Sequence, residues 1–173
     1  MYLRLKLSAN ITVTFRIRNY NPNHANAYVD WCLVDLTVKK PKVLNYKLYD
    51  DESLDSCEIG DIIQLLENVL NGCGPENYEP LEPYMVFDSV PENSEEDKPL
   101  HVYWRIYIWA GKRYNSSSTI SLCLYYDDIE ALLTYLKFVT GDVDEKALKR
   151  FVKKRIIMED DGKSWVKKRK PKK

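Results

Sequence analysis

Two stretches of this chain carry the same helical signature seventy positions apart. In SCEIGDIIQLLENVLNG (56–72), Ile59, Ile62, Ile63, Leu66 and Val69 recur at the spacing of one helix face. In YYDDIEALLTYLKFVTG (125–141), a shift of 70 brings Ile129, Leu132, Leu133, Leu136 and Val139 onto the same positions. Each stretch ends near a glycine, Gly72 or Gly141, and each follows strand-rich sequence carrying tryptophan: Trp31 before the first, Trp104 and Trp109 before the second. A helix with one apolar face must bury it, and the strands beside it are the natural cover. The pattern therefore predicts an α+β fold: antiparallel sheet or sheets built as two strands-then-helix units in tandem, about 28–72 and 83–141, sharing one core.

The strands are read from alternation. Leu3, Leu5 and Leu7 share one face, then Ile11, Val13, Phe15 and Ile17; NYNPNHANA (19–27) is loop chemistry. YVDWCLVDLTVKK (28–40) is a strong strand with Cys32, Val34, Leu36 and Val38 on one side, and 43–49 returns as its hairpin arm around Pro41. Further strands are expected in 80–90, 100–109 and 119–126, with PENSEEDKP (91–99) as a loop. A third helix is expected over 142–157, where Asp142 and Glu145 fit a capping box and Val143, Ala147, Leu148, Phe151 and Val152 form a stripe. The reading gives one domain over 1–157 and a basic tail over 158–173. The N-terminus alternates rather than forming a signal-peptide core, and no stretch reaches the length of a membrane span, so a cytoplasmic protein with no membrane partner is expected. Cys32, Cys57, Cys73 and Cys123 lack C-x-x-C spacing and are expected to be reduced and mostly buried.

The acids ahead of the second helix pose the main chemical question. Asp127, Asp128 and Glu130 can hold a metal, act as an acid/base pair in a hydrolase, or simply start a helix. The first helix has the same habit in Asp55, Glu58 and Asp61, and no histidine lies nearby, so capping is the expectation. His24 and His101 have no spaced partners, and no nucleophile elbow, phosphate-cradling glycine loop or H-E-x-x-H motif is present. The residues point to no catalytic site, no metal and no cofactor.

Charge is more informative. The formal net charge is zero, yet residues 1–141 carry 13 Lys/Arg against 20 Asp/Glu, and 142–173 carry 13 against 6. Positions 48–97 hold 15 acidic residues and no Lys or Arg. Such a segment suits capture of a basic protein by steered association. Its candidate contact residues are Asp50, Asp51, Glu52, Asp55, Glu76, Tyr78, Glu79, Glu82, Glu92, Glu95, Glu96 and Asp97. Tyr2, Tyr28, Tyr46, Tyr49, Tyr78, Tyr84, Tyr114 and Trp165 are the aromatics expected to be exposed. Lys167, Lys168, Arg169 and Lys170 are candidate anion contacts, but the body they hang from is acidic, which argues against nucleic acid as a partner. An accessory role on nucleic acid through this tail is the alternative.

Several stretches, in order, resemble the WapI-like immunity proteins, a bacterial family that neutralises the toxic C-terminal domains of polymorphic secreted toxins. They are DWCLVDLTVKK followed by a strand with Tyr46, EIGDIIQLLENVLNG, Glu82-Pro83 before a strand, YWRIYIW, and ISLCLYYDDIEALLTYLKFVTG, spanning roughly 28–141. The basic extension 142–173 departs from that pattern. The resemblance implies a non-enzymatic antitoxin, monomeric or a small homo-oligomer, whose partner is a cognate and cationic toxin. It carries over no catalytic residues.

Overall fold

Alternation along the N-terminal strands puts Leu3, Leu5, Val13, Phe15, Cys32, Val34, Leu36 and Val38 on a single buried sheet face. The computed structural model describes residues 1–23, 30–73, 75–82, 84–90, 100–110 and 116–160. The elements in chain order are β1 (Tyr2–Leu7), β2 (Ile11–Arg18), β3 (Trp31–Lys40), β4 (Leu44–Asp55), α1 (Ser56–Leu70), β5 (Asn77–Tyr78), β6 (Met85–Val90), β7 (His101–Ala110), β8 (Ser116–Tyr125), α2 (Tyr126–Thr140), α3 (Glu145–Lys153) and β9 (Ile157–Met158). They form two antiparallel sheets, one ordered β4-β3-β2-β1-β9 and one ordered β5-β6-β7-β8. The fold is α+β, and each sheet is followed by a helix.

The sheets approach each other along β1 and β8, α1 packs against both β4 and β5, and α1 and α2 pack on one another. Their buried side chains make a single cluster. At its centre the Phe15 ring meets Trp104 edge-on at 5.1 Å and Tyr135 at 6.1 Å, while Phe87 stacks on Trp104. Such aromatic contacts are worth about 0.5–1.5 kcal/mol each beyond simple burial. Ile17 N–H donates to Tyr135 Oη at 2.9 Å, tying α2 to β2.

The two 15-residue helices start seventy positions apart, as the sequence pattern requires. Ile59, Ile62, Ile63 and Leu66 are buried, as are Ile129, Leu132, Leu133 and Leu136. The last pair differs: Val69 is buried and Val139 only half-buried. The cap of α1 is Asp55, and the hydroxyl of Ser56 beside it donates to the Asp30 carbonyl.

The third helix departs most from expectation. It covers 145–153 and not 142–157, and its cap is Asp144, which accepts from Lys146 N–H at 2.9 Å. Beyond it, Arg155 adopts a positive φ of 58° and turns the chain, so that Ile157–Met158 pair with Tyr2 and Leu3 of β1. Helical periodicity in 154–157 loses to the stronger gain of closing the exposed edge of β1.

Candidate functional site

Two bulges in β4, opposite the stretches between Cys32 and Val34 and between Val34 and Leu36, govern where its carboxylates go. Asp50 lies in the bulge nearer Leu36, at φ 52°, and its exposed carboxylate pairs with Arg18 on the outer face of the first sheet. Asp51 is paired with Val34, on the side of β4 that faces the core, and is half-buried. Burial raises its pKa, the charges of Glu52 and Glu82 add to that rise, and the neighbouring Ser53 hydroxyl opposes it. Glu52 and Glu82 are exposed.

At the end of β4 the chain enters α1 through a reciprocal cap. Asp55 Oδ1 accepts from Cys57 N–H at 3.0 Å, and Glu58 Oε2 accepts from Asp55 N–H at 2.7 Å. The other Glu58 oxygen accepts from Leu81 N–H, which fastens the 79–82 segment to the start of the helix. Asp55 is 1% and Glu58 6% exposed. Asp55 was a candidate contact residue; it is spent inside the fold, because an orphaned helix donor needs it more than solvent does.

Around this cap the exposed acids gather. Tyr78 Oη donates to Asp61 Oδ2 at 3.1 Å. Burial first, then the charges of Glu58 and Asp61, push the Tyr78 phenol up, so it stays a donor at any physiological pH. The Cys57 thiol is pushed up to about 11 by burial and by Asp55, Glu58 and Asp61, so it remains a thiol rather than a nucleophile. No Lys or Arg contributes to these shifts. Glu52, Asp61, Glu79 and Glu82 are all exposed, and Leu81, between Glu79 and Glu82 in sequence and fastened to Glu58 by its N–H, leaves an apolar side chain 54% exposed. An exposed apolar side chain among charges of one sign is the anatomy of a steered docking surface. Leu81 and Asp61 were not singled out from sequence as contact residues. The signal was there: NYEPLEP places an isolated leucine among acids and prolines.

The other candidates scatter. Glu76 is half-buried: its Oε1 accepts from Asn68 Nδ2 at 3.0 Å, seven residues or about 10 Å along α1 from Asp61. Glu92, Glu95, Glu96 and Asp97, and Lys167, Lys168, Arg169 and Lys170, lie outside the described residues, as do His24, Tyr28, Tyr114 and Trp165. Tyr2, Tyr46, Tyr49, Tyr78 and Tyr84 are half-buried, and the exposed tyrosines are instead Tyr125 and Tyr126, at the start of α2. The cysteines are all free, but only Cys32 is buried and Cys73 is exposed.

Asp127, Asp128 and Glu130 do not converge. Asp128 Oδ2 accepts from Tyr125 N–H, Asp127 is exposed in the first turn, and Glu130 pairs with Arg150 of α3. His101 is buried edge-on to Tyr103. Among the described residues, no group of three or more His, Cys, Asp or Glu is placed to hold a metal ion, and no helix is long and apolar enough to cross a membrane. Comparison of the chain with protein-family models, with curated proteins and with solved structures gives no match.

Proposed function

We propose that this chain is a non-enzymatic immunity protein that binds a cationic toxin domain through the acidic patch at the start of α1 and blocks it stoichiometrically. The single observation that carries the reading is that Glu52, Asp61, Glu79 and Glu82 lie exposed together with Leu81, in a region whose own sequence supplies no cation. A basic partner gains on-rate from the field of these acids and affinity from burying Leu81 and the edge of Tyr78. Domains that cut nucleic acid are basic for the sake of their substrate, which suits them to such a surface. The resemblance of the 28–141 stretches to the WapI-like group supports the same class of partner.

The test is co-expression with the product of the adjacent gene, which this reading requires to carry a toxic C-terminal domain. The chain rescues growth and co-purifies with that domain at low salt. Glu52→Lys, Glu79→Lys and Glu82→Lys together weaken binding at least tenfold and slow association, while Asp127→Lys at the start of α2 leaves both unchanged. Equal rescue and equal affinity in the triple variant overturn the acidic-patch mechanism.

A further inference from the structure

The outer face of the first sheet carries the opposite charge. Cross-strand register sets Arg4, Thr14, Thr37 and Lys47 in one row and Lys6, Thr12, Lys39 and Asn45 in the next. Arg4 and Lys47 are three strand spacings apart, roughly 14 Å. Beyond Lys39, Lys40 ends β3 and the β3–β4 turn adds Lys42, held at φ 63°. These side chains bound an open trough of about 590 Å³ with five cations, Arg4, Lys39, Lys40, Lys42 and Lys47, and no carboxylate. None of the five makes an ion pair among the described residues. The acids nearest on this face are already engaged: Asp35 with Arg16 and Arg18, Asp50 with Arg18, and Asp160 with Arg16. The field over the trough is therefore unopposed.

The neutral lining narrows the occupant. It is three threonines, two asparagines and one tyrosine, with only Pro41 and Leu44 apolar. Lys and Arg with Thr, Asn and Tyr are the side chains that contact phosphate and sugar. A small-molecule pocket would be mainly apolar and enclosed. The walls are strands and hairpin turns with no helix to enter a duplex groove, which suits a flexible strand lying across the sheet. Residues 161–173 carry seven Lys/Arg and one Asp, so their charge does not complement the trough.

We propose that the outer face of β1–β4 binds single-stranded nucleic acid through its phosphates, centred on Arg4, Lys39 and Lys47. The proposal is independent of the acidic patch, which lies on α1, β4 and the 79–82 segment, and each can fail without the other.

Fluorescence anisotropy of the full chain with labelled 12-nucleotide oligouridylate and oligothymidylate tests it, over a salt series. Both strands bind, and Arg4→Glu with Lys39→Glu and Lys47→Glu lowers the slope of log K against log salt by about 2, at about 0.7 for each lost phosphate contact. Lys146→Glu with Lys149→Glu and Lys153→Glu, the same charge change on α3, leaves the slope in place. Unchanged melting curves show that the variants fold. Deleting 161–173 leaves binding that the sheet-face variant still abolishes. The proposal is overturned if neither strand binds, if the sheet-face variant binds like wild type, or if the deletion alone removes all binding. It is overturned in favour of an acidic protein partner if poly-glutamate displaces the strands at equal charge concentration.

Discussion

The acids around α1 and the cations outside β1–β4 are held in opposite ways. In the acidic region the innermost carboxylates, Asp55 and Glu58, serve backbone N–H groups, while Glu52, Asp61, Glu79 and Glu82 lie exposed farther out, Asp61 with one oxygen accepting from Tyr78 Oη. On the sheet the innermost cations, Arg16 and Arg18, are neutralised by Asp35, Asp50 and Asp160, and the lysines farther along the strands are left over. In both regions charge near the core serves folding and charge away from it is available. Counting residues therefore overstates each surface. It also hides the second one, because the trough cations lie within a segment, 1–141, whose acids outnumber its Lys and Arg.

The comparison breaks most visibly at Asp35, which is 1% exposed and accepts from Arg16 Nε at 2.8 Å and Arg18 Nε at 3.2 Å. Its other oxygen accepts from Asp50 N–H across the bulge. Asp35→Ala takes a buried carboxylate away from Arg16, itself 9% exposed, and is expected to cost about 3–5 kcal/mol in urea unfolding. Lys47→Ala, in the neighbouring row, is expected to change stability by less than about 0.5 kcal/mol. Equal effects would mean that the trough cations are as much part of the fold as the buried pair.

What was legible in the sequence follows the range of the interactions. Helix faces and most strands were readable because Ile59–Val69 and Ile129–Val139 repeat locally, and the capping of α2 because its acids sit within one turn of its start. Asp35 was not. Alternation puts it on the solvent side of β3, and only the register with Arg16 and the β4 bulge reveals that it is buried. The trough was missed for the same reason, since its residues come from four strands between positions 2 and 47. A cue existed: residues 1–47 hold eight Lys/Arg and two Asp/Glu, a bias masked by averaging over 1–141. β5 is two residues long and gives no periodic signal. The short α3 was overextended because a single turn of apolar spacing cannot announce that β9 will pair with β1.

A smaller effect separates the two capped helices. Glu58→Ala removes the acceptor for two backbone donors, those of Asp55 and Leu81, and is expected to cost about 2–4 kcal/mol. Asp128→Ala removes one acceptor, 3.3 Å from Tyr125 N–H, and is expected to cost no more than about 1 kcal/mol. Thermal melts of the two variants measure the gap. If Asp128→Ala is the more damaging, the acids ahead of α2 do more than start a helix.

The smallest effect concerns pH and returns to the acidic patch. Burial, with Glu52 and Glu82 nearby, raises the Asp51 pKa above its ordinary 3.8. A raised carboxylate pKa means that the folded chain holds this proton more tightly than the unfolded chain. Ionised Asp51 therefore destabilises the fold above its folded pKa, and that cost disappears as pH falls to 3.8 and below. Asp51→Asn should then melt slightly higher than wild type at pH 7, with the two curves converging as pH drops through this window. A variant that melts lower at pH 7, with the gap closing as pH falls, would show instead that the Asp51 charge is stabilised in place. A cation docking beside Glu52 and Glu82 would reverse the sign locally by favouring the ionised form. Binding of a basic partner at a pH inside this window should release a fraction of a proton that Asp51→Asn does not release, measurable by calorimetry in buffers of different ionisation enthalpy.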